Sequence, residues 1–247
     1  MDGFLLVDKP VGITSHDVVA RVRRLLSQSD SRHSIVASQK LTTNDSRLTT
    51  RALKVRVGHT GTLDPLASGL MILVLGSYTK QAQEFSKMDK TYEVELSLGA
   101  TSATGDGEGS ITEVGGQKPE DGEVKKVLKS FVGEIRQTPH AHSAVKIGGQ
   151  RAYKLARAGK KFKIEPRKVT IFSIEDIEYK YPKLSFAAKV SSGTYIRSLA
   201  EDIGQKLGTG AYVSALRRTK ISDYDVKNAL KADTLDIQAL LTGVVKL

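Results

Sequence analysis

The chain has no cysteine and no tryptophan among its 247 residues. Without cysteine there is no disulfide framework, no thiolate metal site and no cysteine nucleophile. Histidine is scarce as well, and His140 and His142 stand two apart, a spacing that suits neither a zinc helix nor a zinc ribbon. No thiolate or paired-histidine metal site is therefore expected. Long apolar runs are missing: the longest, Leu70 to Leu75, is far short of a membrane span. The start, Met1-Asp2-Gly3-Phe4, lacks the basic and apolar stretches of a secretory leader. The expectation is a cytoplasmic protein with no membrane association. A chain of this length buries roughly 70–75% of its unfolded surface, so one domain spanning 1–247 needs no covalent staples.

Acidic residues are outnumbered, 27 against 38 basic ones, which leaves a net charge of +11. That balance favours a polyanionic partner. Its placement is informative. Between Lys146 and Lys168 lie Lys146, Arg151, Lys154, Arg157, Lys160, Lys161, Lys163, Arg167 and Lys168, against the one acid Glu165, a surplus of +8. A basic run is often only a solvated helix face. Here Tyr153 and Phe162 interleave with the cations. Phosphates attract the cations and bases stack on the rings, so the mixture points to nucleic acid.

Periodicity places the elements. Phe4 to Val7 reads as a short strand, and Lys9-Pro10-Val11-Gly12 as a turn. Ser15 is the expected N-cap of a helix carrying Val18, Val19, Val22, Leu25 and Leu26, with Arg21, Arg23 and Arg24 on its other face. Residues 27–54 hold ten Ser or Thr among 28 without apolar period, and read as a polar insertion or mobile loop. Leu70 to Leu75 is an expected buried strand, Thr79 to Met88 a helix, and Tyr92, Val94, Leu96 and Leu98 the apolar face of a strand. Residues 99–110 read as a loop and Val124 to Phe131 as an amphipathic helix. Strands follow at Val169 to Tyr179 and Leu184 to Ser191, a helix after Gly193-Thr194, a strand at Tyr212 to Ile221 and a short helix at Asp233 to Leu241. Strands and helices without strict alternation predict an α+β fold with a mixed, mainly antiparallel sheet flanked by helices and loops.

The chemistry concentrates in Gly58-His59-Thr60-Gly61-Thr62-Leu63-Asp64-Pro65. Two glycines allow close approach to a ligand, and Asp-Pro fixes a turn. Tyr92 on an apolar strand face and Arg197 at a helix start join Asp64 as candidates. Arginine is permanently charged and, placed beside Asp64, would keep it ionised and aimed. Spacing alone does not separate these roles from a turn residue, a core tyrosine and a surface arginine.

The ordered motifs carry a resemblance. Lys9-Pro10-x-Gly12-x-Thr14-Ser15, the block from Gly58 to Gly69, Lys90-Thr91-Tyr92, and the run from Ser192 to Ala200 resemble the TruB family. Its members are tRNA pseudouridine synthases that act on the T-loop uridine at position 55, and the likeness covers about residues 3–220 apart from 27–54. The resemblance implies a pseudouridine synthase fold with a thumb-like basic insertion at about 138–168. It implies Asp64 as nucleophile, Tyr92 as the ring that stacks on the target uracil and moves a proton, and Arg197 as the partner of Asp64. It also implies His59 as an RNA contact near the flipped base, and Tyr195 and Leu216 as lining the uridine pocket. Lys9 and Pro10 are implied to support the catalytic loop. Lys146, Arg151, Lys154, Arg157, Lys160 and Lys161 are the expected grip on the tRNA T-arm. Only 29 residues follow Arg218, so a C-terminal RNA-binding domain of the PUA type is not expected. A monomer with no obligatory protein partner follows from that reading, and the implied isomerisation needs no metal and no redox cofactor. Two alternatives stand beside it: the same chemistry on another RNA, and a non-catalytic RNA-folding module.

Overall fold

The computed structural model describes residues 1–38, 55–141, 143 and 145–246. The described chain divides into two compact units, Met1–Ser86 with Tyr224–Leu247, and Lys87–Asp223. No described helix is long and apolar enough to cross a membrane.

The first unit is built from β1 (Gly3–Lys9), α1 (Ser15–Ser38), β2 (Val57–His59), β3 (Ala67–Leu75), a 3-10 helix (Gly76–Gln81) and α2 (Ala82–Ser86). Strand β3 is the spine, with every residue from Gly69 to Leu75 buried. It pairs antiparallel with β1, from Gly3 opposite Leu75 to Lys9 opposite Gly69, and with β2, His59 opposite Leu73. The short strand Leu230–Lys231 lies parallel to β1 and makes the sheet mixed. Helix α1 buries Val18, Val19, Val22 and Leu26, the expected stripe. It runs through Ser38, so the first part of the 27–54 segment continues the helix; the remainder lies outside the described residues. The helix expected over Thr79 to Met88 is instead a 3-10 turn followed by the short α2, with Phe85 packed on Phe4 at 5.3 Å between ring centroids.

The second unit holds β4 (Lys90–Leu98), the hairpin β5 (Ala100–Ser102) and β6 (Ile111–Glu113), α3 (Asp121–Lys129), β7 (Gly133–Gln137), the hairpin β8 (Lys146–Ile147) and β9 (Gln150–Arg151), α4 (Ala152–Arg157), β10 (Arg167–Lys180), β11 (Lys183–Val190), α5 (Ile196–Lys206) and β12 (Ala211–Ile221). Its sheet runs β12-β4-β11-β10-β7, antiparallel throughout. Lys90, Tyr92, Val94, Leu96 and Leu98 are the buried face of β4, the alternation read from the sequence. Helix α5 buries Ile196, Leu199, Ala200 and Ile203. The mixed, mainly antiparallel α+β architecture is the one expected.

Candidate active site

The loop that carries Asp64 is held from several sides by its own unit. Strand β2 delivers it and β3 takes the chain back. Thr60 is buried and both its N–H and its hydroxyl donate to the Ile72 carbonyl, at 3.1 and 3.2 Å. Leu63, immediately before Asp64, is clasped by one hydroxyl: its N–H donates to Ser15 Oγ at 2.8 Å, and Ser15 Oγ donates back to its carbonyl at 3.0 Å. The Asp64 carbonyl accepts from Ala67 N–H at 3.0 Å, the bond of a β-turn with proline at its second position. The Pro65 carbonyl accepts from Gly12 N–H at 2.8 Å and from Lys9 Nζ at 3.4 Å. Lys9 is fully buried, and its ammonium also donates to the Pro10 and Ile13 carbonyls at 2.8 Å each. A buried cation needs such acceptors. The backbone on both sides of Asp64 is thus fixed, while the residue itself is half-buried, as is His59.

These contacts correct the expected cap. Thr14, not Ser15, caps α1. The Asp17 N–H donates to Thr14 Oγ1 at 3.2 Å, and the Asp17 carboxylate accepts from Thr14 N–H and hydroxyl at 2.8 and 2.6 Å, a reciprocal capping box. These bonds hold the Asp17 carboxyl below its ordinary range. Ser15 is left for the Leu63 clasp. The arginines of α1 also have structural work: Arg23 donates to the Val57 carbonyl, at the entry to the loop, and Arg21 to the Asp233 carbonyl at 2.7 Å.

The other candidates belong to the second unit. Tyr92 is buried on β4, opposite Ala188 on one side and Arg218 on the other. Leu216 is half-buried on β12, in register with Val94, between two irregularities of that strand. Arg197 sits in the first turn of α5 and is 8% exposed. Its Nη1 lies 3.3 Å from Asp106 Oδ2 and donates to the Thr104 carbonyl at 2.9 Å. Asp106 is itself buried and accepts from the Thr104 hydroxyl at 2.5 Å and the Glu108 N–H at 3.1 Å. The arginine is thereby fixed in direction inside its own unit. Sequence reading missed Asp106. The available signal was an acid set among glycines and threonines in residues 101–110, which reads as ordinary turn chemistry. Tyr195, half-buried, precedes α5 and is held through its backbone by Gln137.

The basic segment forms the small β8–β9 hairpin, α4 and an irregular stretch up to Arg167. Lys146, Arg151, Lys154, Arg157, Lys160 and Lys161 are all exposed. Arg157 lies 5.8 Å from the ring centre of Tyr153, so a cation and a stacking surface are presented together. Two further cations have acidic neighbours: Lys163 lies 3.2 Å from Glu165, and Lys168 lies 2.8 Å from Glu134, whose carboxylate raises the Lys168 ammonium above its ordinary range.

Residues 47–196 match the model of the TruB family pseudouridylate synthase N terminal domain, and 197–242 that of the tRNA pseudouridylate synthase B C-terminal domain. Among similar curated proteins, tRNA pseudouridine synthase B of Dechloromonas aromatica is 41% identical over 96% of this chain and 71% of its own length. The protein of the same name from Aquifex aeolicus is 41% identical over 94% of this chain and 73% of its own. Among solved structures, a chain of a Cbf5-Nop10-Gar1 complex superposes over 96% of this chain with a TM-score of 0.66 and 29% identity. A chain of an H/ACA RNP bound to a substrate RNA containing 2'-deoxyuridine does so over 99% with a TM-score of 0.62 and 26% identity. This chain spans 54% and 56% of those two solved chains.

Proposed function

The chain belongs to the TruB family of pseudouridylate synthases, and we propose that it isomerises uridine to pseudouridine in the T-loop of tRNA, at position 55. The observation that carries this reading is the 39–41% identity to proteins named tRNA pseudouridine synthase B, which runs over nearly the whole chain. The Asp64 loop lies inside the matched N-terminal region.

The reaction breaks the bond between N1 of uracil and C1' of ribose, turns the detached base, and makes a bond from C5 to C1'. A proton leaves C5. Nothing is oxidised or reduced, and no group is lost. The target is stacked in its loop, so it is flipped out before reaction. Asp64 is the nucleophile, and its anchored backbone keeps the carboxylate from drifting with the loop. Attack on the ring, attack on the sugar and passage through a glycal are all compatible with one carboxylate. Tyr92 offers a ring face for the detached uracil and a hydroxyl for the C5 proton. Arg197, fixed in direction by Asp106 and the Thr104 carbonyl, is the permanent cation of the proposed catalytic set. His59 contacts RNA beside the flipped base, while Tyr195 and Leu216 line the uridine pocket. The exposed cations of 138–168 grip the T-arm, as a basic, aromatic segment suits an RNA loop read by shape and stacking. The protein acts as a cytoplasmic monomer on this reading.

The test maps pseudouridine in a T-arm stem-loop and, for comparison, in total RNA. One modified uridine in the T-loop is expected. Modification confined to other RNAs would move the substrate elsewhere, and none at all would defeat the catalytic reading. Asp64→Asn is expected to keep RNA affinity and to lose turnover. Product from that variant in a single turnover, with wild-type contamination excluded, would remove the nucleophile from Asp64.

A further inference from the structure

The root of the basic arm is stitched to helix α5 at three points. Gln137, the last residue of β7, is 1% exposed and meets the Tyr195 backbone with both ends of its carboxamide. Its Nε2 donates to the Tyr195 carbonyl at 3.1 Å, and the Tyr195 N–H donates to its Oε1 at 2.8 Å. The Thr138 carbonyl accepts from the Ser198 hydroxyl at 2.8 Å. His140 Nε2 lies 3.1 Å from Glu201 Oε1, with the imidazole 8% exposed. Residues 195, 198 and 201 follow one another at three-residue spacing, so the arm's root lies along one face at the start of α5. Gly105 closes the same region with φ +72°. A Cβ there would stand 2.9 Å from Glu201 Oε1, 3.2 Å from Arg197 Cβ and 3.3 Å from His140 Cδ2. The loop bearing Asp106, the root of the arm and the turn bearing Arg197 are therefore packed against one another.

The Gln137 contact has a specific form. Tyr195 is the N-cap of α5, and its own side chain makes no cap bond. Its carbonyl accepts the first helical bond, from Leu199 N–H at 3.1 Å, and the Gln137 carboxamide as well. A primary amide presents a donor and an acceptor side by side, as a peptide group does on a neighbouring strand. Gln137 thus bonds both backbone groups of the N-cap residue from β7, and it fixes the Tyr195 backbone between a strand and a helix. Burial of Gln137 makes the contact consequential, because a Tyr195 N–H left unpaired there is costly, whereas the Tyr195 carbonyl keeps its helical bond from Leu199.

We propose that Gln137 is a positioning residue, which holds Tyr195 and the first turn of α5 in fixed register with the root of the arm. RNA gripped by the arm then meets a uridine pocket set at a constant offset from the grip. Gln137 acts through Tyr195 and not on the RNA. The inference rests on the reading of Tyr195 as a pocket residue and of 138–168 as the RNA grip.

The test compares wild type with Gln137→Met, which keeps the volume and loses both bonds, and Gln137→Glu, which keeps the acceptor and, when ionised, cannot donate to the Tyr195 carbonyl. Three quantities are measured on a T-arm stem-loop: the single-turnover rate at saturating RNA, the Kd, and the unfolding midpoint. The expected result is a rate about 10- to 100-fold lower, the scale of a small misplacement at a reacting centre, with Kd unchanged. A folded variant with the wild-type rate overturns the proposal, and so does a defect that saturating RNA removes. Loss of the fold in both variants assigns Gln137 to stability alone and overturns it too. Wild-type turnover separates the two levels. No pseudouridine from wild type defeats the functional reading, whereas normal wild-type turnover with unchanged variants defeats only the role of Gln137.

Discussion

A single hydroxyl, that of Ser15, fixes the residue before the candidate nucleophile. Its two bonds to Leu63 stand in for a strand pairing that the loop does not have. Ser15→Ala leaves a buried N–H and a buried carbonyl without that partner, and the expected loss of stability is about 1–3 kcal/mol. Denaturant unfolding checks it, and Ser15→Thr, which restores a hydroxyl, should recover part of the loss. Asp106 is a second such residue. It aims Arg197 through an ion pair and is itself held by Thr104 and Glu108. Asp106→Asn keeps the shape and removes the charge, so the guanidinium is less well fixed at its site. Single-turnover assays of that variant should show a rate lower by about tenfold or more with RNA affinity retained, the signature of misplacement rather than weakened binding. An unchanged rate would show that other contacts suffice to hold Arg197.

At the level of elements, the sequence pattern was most legible where burial repeats along one segment. The β4 alternation, the β3 run and the apolar stripe of α1 all follow from side chains facing one core. Strands β2 and β7 escaped notice because Val57-Gly58-His59 and Gly133–Gln137 carry one large apolar residue each. Their pairing is dictated by the partners β3 and β10, far off in the chain. Asp64, Tyr92 and Arg197 stood out through motifs, whereas Asp106, Gln137 and the role of Ser15 did not, since each acts by a contact distant in sequence. The buried face of β4 also carries a cation. Burial and the Arg218 charge push the Lys90 ammonium down to about 8. Between that value and its ordinary 10.5, the folded chain has given up a proton that the unfolded chain keeps. The penalty of burying the charge is therefore full below pH 8 and fades as the pH rises through the window. Lys90→Met should accordingly gain most over wild type near pH 7, with the gap narrowing towards pH 10. Urea unfolding of both proteins across that range measures the gap, and one that does not change with pH would place the Lys90 charge outside the balance.

For the molecule as a whole, charge is the property with the longest reach. Of the net +11, a surplus of +8 falls between Lys146 and Lys168, and the six cations assigned to the RNA grip are exposed. Each phosphate neutralised releases condensed counterions, so affinity falls with salt at a slope set by the number of such contacts, about 0.7 per contact on a single strand and 0.9 on a duplex. Neutralising Lys160, Lys161 and Lys163 together tests whether the arm is that contact surface. Lys163 already lies 3.2 Å from Glu165, but both side chains are well exposed, so that pair is weak and reduces the Lys163 share only slightly. The triple variant should bind a T-arm stem-loop more weakly, with a shallower slope of log K against log salt. Its single-turnover rate at saturating RNA should match wild type, because none of the three contacts the reacting uridine on this reading. Binding titrations over a series of salt concentrations give the slope directly. A parallel line displaced to weaker binding would mean that the cations act on the arm's own shape and not on phosphates. A line identical to wild type would make the basic run a solvated face, and the RNA would then be held by another surface of the protein.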